Sequence, residues 1–466
     1  MRRSRGSISA GGRRPGEPAV ASPAAAVVLP AARAGRIAYR LLLALALPVA
    51  WARLAWRSRT IPALRERWAE RRGVLPFAVQ PGGLWLHTVS AGETIAAAPL
   101  IRALHARHPA LPLLVTTMTH TGSERVQALL GDRVRHVYLP WDAPRAVARF
   151  LDAVQPRAAV FFETELWPNV LEACHGRGIR TLLLNGRLSA RSAAGYARLG
   201  KFARRMLGQL DVVACQGEDH AARFASLGVP PARLQVQGNV KFDVAIDEAT
   251  RTAIARLAAA PLFAGRPVWI AGSTHAGEEA IVLAAHRALR ARFPGALLVL
   301  VPRHPERVGE VLALCDGLRV LRRSAMTGDE AAADVDVLIG DRMGELLMLY
   351  GLAQAAFVGG SLVDVGGHNP IEPAALGVPV LMGPADRNFV EVVAAFRRAG
   401  ALQVVKDASS LGDAVSRLWT DEAHARALAA AGLAVIAAHR GATARMLALL
   451  ESSLALPGAD APSPPA

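Results

Sequence analysis

The chain has 466 residues, 52% of them hydrophobic, and a formal net charge of +16 carried almost wholly by arginine, since Lys201, Lys241 and Lys406 are its three lysines. That length exceeds one ordinary domain and predicts two, each of about 150 to 200 residues, while the charge suits a phosphorylated substrate or an acidic membrane surface. Cys174, Cys215 and Cys315 lie far apart without CxxC or Cys/His spacing, which excludes a disulfide framework or structural zinc site, and no zinc-finger, helix-turn-helix or RNP-type pattern supports a nucleic-acid partner.

Residues 1–35 are rich in Arg, Gly, Ala, Pro and Ser without apolar periodicity and read as a flexible basic tail. Residues 36–60 contain the apolar run Leu41 to Ala52, with Arg33, Arg36 and Arg40 before it and Arg53, Arg57 and Arg59 after it. The run is short for a full span, and arginines on both flanks favour a helix lying in, or dipping into, the cytoplasmic leaflet. Trp51 and Trp56 suit that interface. The competing readings are a signal peptide, disfavoured by the arginines directly after the run, and an ordinary core helix.

From Leu84 onward, strand-like runs alternate with helical patterns: LWLHTVS, LPLLVTTMT, VRHVYLP, AAVFFETE, RTLLLNGR and DVVACQ. This is the parallel βα pattern of a doubly wound sheet. After a helical stretch near residues 246–265 the pattern restarts with PVWIAGST, ALLVLVPR, VDVLIGD, AAFVGGS and PVLMGP. The division expected is therefore 61–245 and 246–450, with 451–466 a second flexible tail. Two sheets in tandem imply a cleft, and the residues that follow each strand are the ones that meet a ligand.

Glu93 follows the first strand in Ser90-Ala91-Gly92-Glu93 and opens a helix. Such an acid most commonly satisfies the helix dipole; its other role is general base toward an acceptor hydroxyl. Glu163 and Glu165 end the fourth run with period-two spacing, and acids so placed need cations or a polar ligand. Asn185-Gly186-Arg187 and Gly238-Asn239-Val240-Lys241 follow strands and supply cations, with ion pairing as the plainer reading. In the second half, Arg303 after Pro302 can clamp a phosphate, and the amides near Met343, Gly344 and Glu345 can bind polar groups. His275, His304 and His368 are secondary candidates. Asp334-Val335-Asp336 sits at the start of its strand, away from the cleft, and no cluster has metal-ligand spacing.

The densest signal is Phe357 to Pro384, FVGGSLVDVGGHNPIEPAALGVPVLMGP: a strand, a glycine-rich turn, a capped helix and another strand. Asn369 is the expected N-cap, Pro370 the first helical position, and Glu372 the carboxylate that reaches back to free N–H groups. Equally, the loop amides and helix N-terminus could face a phosphate while Glu372 holds ribose hydroxyls.

In order along the chain, HTVSAGE, TTMTHTGSERV, ETELWPN, NGRLSARS, GNVKFD, STHAGEE, VPRHPERV, GDRMGELLMLYG and the Phe357 to Pro384 stretch closely resemble the bacterial 3-deoxy-D-manno-octulosonic acid (Kdo) transferase of lipid A biosynthesis. The resemblance covers approximately residues 37–450. It implies an α/β protein with two Rossmann-like domains facing a cleft, the GT-B arrangement, behind a short membrane-associating helix. The implied reaction is inverting transfer of Kdo from CMP-Kdo to the tetraacylated lipid A precursor, lipid IVA, on the cytoplasmic side of the inner membrane, beside anionic lipid. Neither metal nor other cofactor is implied. By motif, Glu93 would be the base and Glu163 and Lys241 would stabilise the transition state. Pro302, Arg303, Met343, Gly344, Glu345, Asn369, Pro370, Ile371 and Glu372 would hold CMP. The rivals are a lipid-linked transferase using a UDP-sugar and a catalytically silent scaffold of the same fold.

Overall fold

A computed structural model describes residues 30–61, 63–327 and 335–456. Most of the expected tail 1–35, Asp334 and residues 457–466 lie outside them.

Two sheets form, each of seven parallel strands. The first contains β1 (Leu84–His87), β2 (Leu113–Thr117), β3 (Arg135–Tyr138), β4 (Ala158–Phe162), β5 (Arg180–Gly186), β6 (Val212–Cys215) and β7 (Leu234–Val236), in the order β3-β2-β1-β4-β5-β6-β7. The second contains β8 (Val268–Thr274), β9 (Leu297–Pro302), β10 (Val320–Arg322), β11 (Val337–Ile339), β12 (Ala355–Val358), β13 (Val380–Met382) and β14 (Leu402–Val404), in the order β10-β11-β9-β8-β12-β13-β14. Helices cover both faces, so the central strands read as mainly apolar runs rather than alternating ones, with polar residues such as His87, Thr117 and Thr274 at their carboxyl ends. β1, β2, β4, β8, β9 and β12 are buried at every residue. Trp85, Phe150 and Phe161 fill the layer on one side of the first sheet, and Leu84, Ile101 and Val160 the other. The strand order reverses between β1 and β4 in the first sheet and between β8 and β12 in the second. Open α/β sheets bind their ligands at such points.

The N-terminal helix runs from Pro30 to Arg57, so it begins inside the stretch expected to be tail and is longer than the apolar run within it. Its segment Ala34–Arg57 is long and apolar enough to cross a membrane by length and composition. One side is tied to the first sheet's helices: Tyr39 donates to Asp142 at 2.7 Å, Arg36 and Arg40 pair with Glu172, and Trp51 packs edge-on to Trp68 and Trp141. The other side leaves Ile37, Leu41, Leu45 and Val49 exposed at four-residue spacing, with Leu42 and Trp56 beside them.

The C-terminal boundary also differs from expectation. Helix Ala442–Ser453 packs not with the second sheet but against helix Ala91–Arg107 of the first, placing Met446, Leu447 and Leu450 in one core with Leu100, Ile101 and Leu104. Glu451 and Leu454, assigned by sequence to a flexible tail, are buried; Glu451 pairs with Arg107 at 3.0 Å and His108 at 2.9 Å. The chain thus crosses between the sheets twice. Asp243 on the first crossing accepts the N–H groups of Gly441 and Thr443 on the second, each at 2.6 Å.

Candidate active site

Glu93 is the third residue of helix Ala91–Arg107, just past β1 at the reversal of strand order. Its Oε2 accepts the backbone N–H of Val89 at 2.6 Å, which folds the carboxylate back over the strand end. Burial pushes its pKa up from 4.5 to about 8; Glu163 and Glu165 push the same way, while the Val89 N–H and Lys241 oppose them. These four charged groups therefore share one site. A carboxylate whose pKa lies near neutrality is a competent proton acceptor, whereas an ordinary first-turn acid is not.

Glu163 follows β4 directly and has φ +61°, a left-handed conformation that costs a residue with a Cβ about 1–3 kcal/mol. Its N–H still donates to Leu184 on β5 at 3.0 Å, so the neighbouring strand holds the turn in place. Lys241 Nζ lies 3.5 Å from Glu163 Oε1 and 5.7 Å from the centroid of the Phe389 ring. The lysine sits in a short turn, Val240–Phe242, fixed by three amide side chains in series. Asn239 Oδ1 accepts Lys241 N–H at 3.0 Å and Asn239 Nδ2 donates to Gln216 Oε1 at 2.9 Å. Gln216 Nε2 donates to the carbonyl of Asn185 at 3.0 Å, and Asn185 Oδ1 accepts Val240 N–H at 3.2 Å. Asn185 itself is buried with φ +52°. Gln216 was not singled out in the sequence; its one signal is a polar residue directly after a buried strand.

A second link crosses the cleft. Arg187 and His220 from the first half meet Glu391 from the second at 3.2 Å and 3.5 Å. A cavity of about 560 Å³ opens beside them, lined by Gln216, His220, Phe242, Glu391, Arg398 and His439 among others.

At the reversal of the second sheet, the glycine-rich turn is built differently from expectation. The amides of Gly360, Ser361 and Leu362 do not face outward for a phosphate; they donate to the buried carboxylate of Glu278, at 2.6, 2.9 and 2.9 Å, as does His275 N–H at 3.0 Å. The following helix is Ile371–Ala375, beginning one residue after Pro370. The N-cap position is Pro370, not Asn369 as expected; Asn369, one residue earlier, still accepts the Ile371 N–H through its Oδ1 at 3.1 Å. Glu372 does not reach back to the main chain: its Oε1 takes the Asn369 side-chain amide at 3.2 Å. Burial raises the Glu372 pKa, against the pull of Asn369 and the Arg303 guanidinium. Glu372 also acts on the buried Tyr350 hydroxyl, at the end of helix Leu346–Tyr350. That helix starts after Met343, Gly344 and Glu345. Met343 is exposed, Gly344 has φ +85°, and Glu345 is held by Arg323 at 3.0 Å and Arg342 at 3.8 Å. Arg303, Asn369, Glu372 and the 343–350 segment thus gather at one end of the second sheet. Asp336 lies apart, buried between Arg319 at 2.5 Å and Arg290 at 2.9 Å. Among the described residues no three His, Cys, Asp or Glu side chains form a metal-binding group.

Residues 66–244 match the family model described as 3-deoxy-D-manno-octulosonic-acid transferase (kdotransferase). The chain is 41% identical over 424 residues to the 3-deoxy-D-manno-octulosonic acid transferase of Haemophilus influenzae, spanning 90% of this chain and 99% of that one. It belongs to the Kdo transferase family. The corresponding Bordetella pertussis protein is 38% identical over 434 residues, with 90% of this chain and all of that one covered. The solved structure of Acinetobacter baumannii MurG is 13% identical, covers 80% of this chain and 100% of its own, and superposes with a TM-score of 0.51. That likeness supports the fold alone, two facing Rossmann-like halves of the GT-B kind. As a Kdo transferase family member the chain is a glycosyltransferase, and the sequence expectations of fold and family both hold.

Proposed function

We propose that this glycosyltransferase moves Kdo from CMP-Kdo to the tetraacylated lipid A precursor, with inversion and with Glu93 as general base. The observation that carries the reading is the Glu93 carboxylate, raised to about 8 and grouped with Glu163 and Lys241 where the first sheet's strand order reverses. Glu93 takes the proton of the acceptor hydroxyl as that oxygen bonds to the anomeric carbon. The bond from that carbon to the phosphate oxygen breaks, and CMP leaves with the electron pair. Lys241, held against Glu163, offsets negative charge on the Kdo carboxylate or the departing CMP. Pro302 with Arg303, Met343 to Glu345, and Asn369 to Glu372 hold CMP, Glu372 taking ribose hydroxyls while Asn369 steadies it. The names of the relatives support the Kdo donor.

The exposed stripe Ile37, Leu41, Leu45 and Val49 lies in the cytoplasmic leaflet of the inner membrane, with arginines on anionic lipid and the acyl chains of the acceptor alongside. Tyr39 and Trp51, bound to the protein on the opposite side, favour lying over crossing.

The test is to incubate the purified chain with CMP-Kdo and the tetraacylated precursor in chelator and weigh the lipid product. A gain in Kdo units supports the reading and counts the additions. No gain, with donor intact and lipid dispersed, overturns it and turns attention to UDP-sugars.

A further inference from the structure

Three imidazoles and a guanidinium converge where the second sheet reverses: His275 after β8, Arg303 and His304 after β9, and His368 in the turn after β12. His275 Nε2 and His368 Nε2 are 2.8 Å apart, with ring planes within 4° and centroids 5.0 Å apart. Such a distance between coplanar rings is an N–H···N hydrogen bond between two neutral imidazoles, one donating and one accepting. Gly360 lies against the pair; a Cβ there would come within 2.9 Å of His368 and 3.5 Å of His275. His304 stands edge-on to His275 at 5.6 Å.

The charged groups around the pair are mostly committed elsewhere. Glu278, below His275, accepts four backbone N–H groups. Glu279 is buried against Arg307 at 2.7 Å, and Arg387 pairs with Asp364 on the far side of the glycine turn. Arg303 acts on both His368 and Glu372. Burial holds both imidazoles of the pair below their usual range. His368 falls to about 4, with His275, Arg303 and His304 adding to the effect; for His275, Glu278 and Glu279 pull upward while His304 and Arg307 push down. The pair is therefore neutral near pH 7, and a second proton on its facing Nε2 atoms would break the mutual hydrogen bond.

We propose that the His275–His368 pair is a proton-linked phosphate site: a nucleotide phosphate replaces one imidazole as hydrogen-bond acceptor for the other, and the pair takes up a proton from solvent. The inference rests on the reading of this end of the second sheet as the CMP site. Its consequence falls on the leaving group. When the bond to the anomeric carbon breaks, the phosphate of CMP gains a second negative charge, and an imidazolium already beside it offsets that charge while the acceptor proton goes separately to Glu93.

The test is calorimetric titration of the full chain with CMP, and with cytidine, near pH 7 in two buffers of different ionisation enthalpy. The wild-type chain should bind CMP with a heat that depends on the buffer in the direction of proton uptake, and cytidine without that dependence. CMP affinity should strengthen toward lower pH by up to about tenfold per pH unit for each proton taken up. The phosphate of CMP itself titrates near pH 6, but equally in every variant, so the difference between wild type and H368Q or H275Q isolates the imidazoles. Both substitutions should abolish the excess uptake while cytidine still binds. In the wild-type chain, imidazole NMR signals of the two histidines should move toward imidazolium on CMP addition, a readout that needs no variant. Buffer-independent CMP binding, or uptake unchanged in both variants, overturns the inference alone. Failure of CMP to bind the wild-type chain overturns the donor reading as well.

Discussion

The carboxylate of Glu278 receives the backbone N–H of Gly360 at 2.6 Å, from a residue 82 positions later in the chain. With Ser361, Leu362 and His275 also donating, this side chain occupies the place that a bound phosphate would take in a glycine-rich cradle. Removing it leaves buried donors without acceptors, each costing about 1–3 kcal/mol. Glu278→Ala should therefore destabilise the second half by at least about 3 kcal/mol, seen as a lower midpoint in denaturant. An unchanged midpoint would mean that those amides have another partner, and the phosphate-cradle reading would return.

Glu93 gives a rate prediction with a definite sign. The base acts deprotonated, so kcat/KM should rise about tenfold per pH unit below an inflection near pH 8, where burial places the Glu93 carboxyl, and level off above it. Lys241 holds that pKa down, so Lys241→Met should lower kcat and move the inflection to higher pH. A flat profile between pH 6 and about 8.5 in the wild-type chain would sink the base assignment.

The same shift makes a stability prediction. Below pH 4.5 Glu93 is protonated in both folded and unfolded chains. Between 4.5 and about 8 the unfolded state has lost that proton and the folded state keeps it, so stability declines as pH rises through this window and is flat above it. Glu93→Gln should abolish transfer yet raise Tm at pH 8 relative to wild type, with little difference at pH 4.5. Equal Tm values across the window would show that burial imposes no such penalty.

Much of this was legible in the sequence, for a physical reason. Strands buried on both faces are apolar for most of their length, so LWLH, LLVTT, AAVFF and LLVLVP announce themselves. β7, β10 and β14 did not: they are three-residue edge strands, LQV, VLR and LQV, partly exposed and free to carry polar residues. Glu163 could be singled out because it directly follows a strand, and Glu93 because it opens the helix after one. The return of helix Ala442–Ser453 to the first sheet was not legible, since an apolar helix face does not say which core it covers. Nor was the capture of the glycine turn by Glu278, because Gly-rich turns after strands look alike whether the acceptor is a ligand or a distant carboxylate.

On the N-terminal helix, the side chains that bind the protein differ from those proposed to meet the membrane. Tyr39 and Trp51 bind the protein, whereas Leu41, Leu45 and Val49 touch nothing that would bury them. Replacing these three by Gln should leave the thermal midpoint unchanged. Each loses a burial of about 1.5–3 kcal/mol in lipid, so partition into vesicles containing anionic lipid should fall by more than about 100-fold. Deleting the whole helix is the poorer experiment, because it also strips partners from Asp142, Trp68 and Trp141. Undiminished co-sedimentation of the triple variant would remove the interfacial assignment.

Asn185 offers the sharpest test of how Lys241 is positioned. Its left-handed backbone and its side-chain oxygen both serve the turn that carries the lysine: φ is +52°, and Oδ1 accepts Val240 N–H at 3.2 Å. Asn185→Gly keeps the backbone conformation without strain and removes only the acceptor, whereas Asn185→Asp keeps an acceptor oxygen and tolerates positive φ. If the amide series aims Lys241 at Glu163, the Gly variant should lose about tenfold or more in kcat, with CMP affinity unchanged, and its rate inflection should move above that of wild type because Glu93 loses part of its cation. The Asp variant should recover most of the rate. A Gly variant that loses stability but keeps both kcat and the inflection would reduce Asn185 to a packing residue, and Lys241 would then owe its position to Asn239 and Gln216 alone.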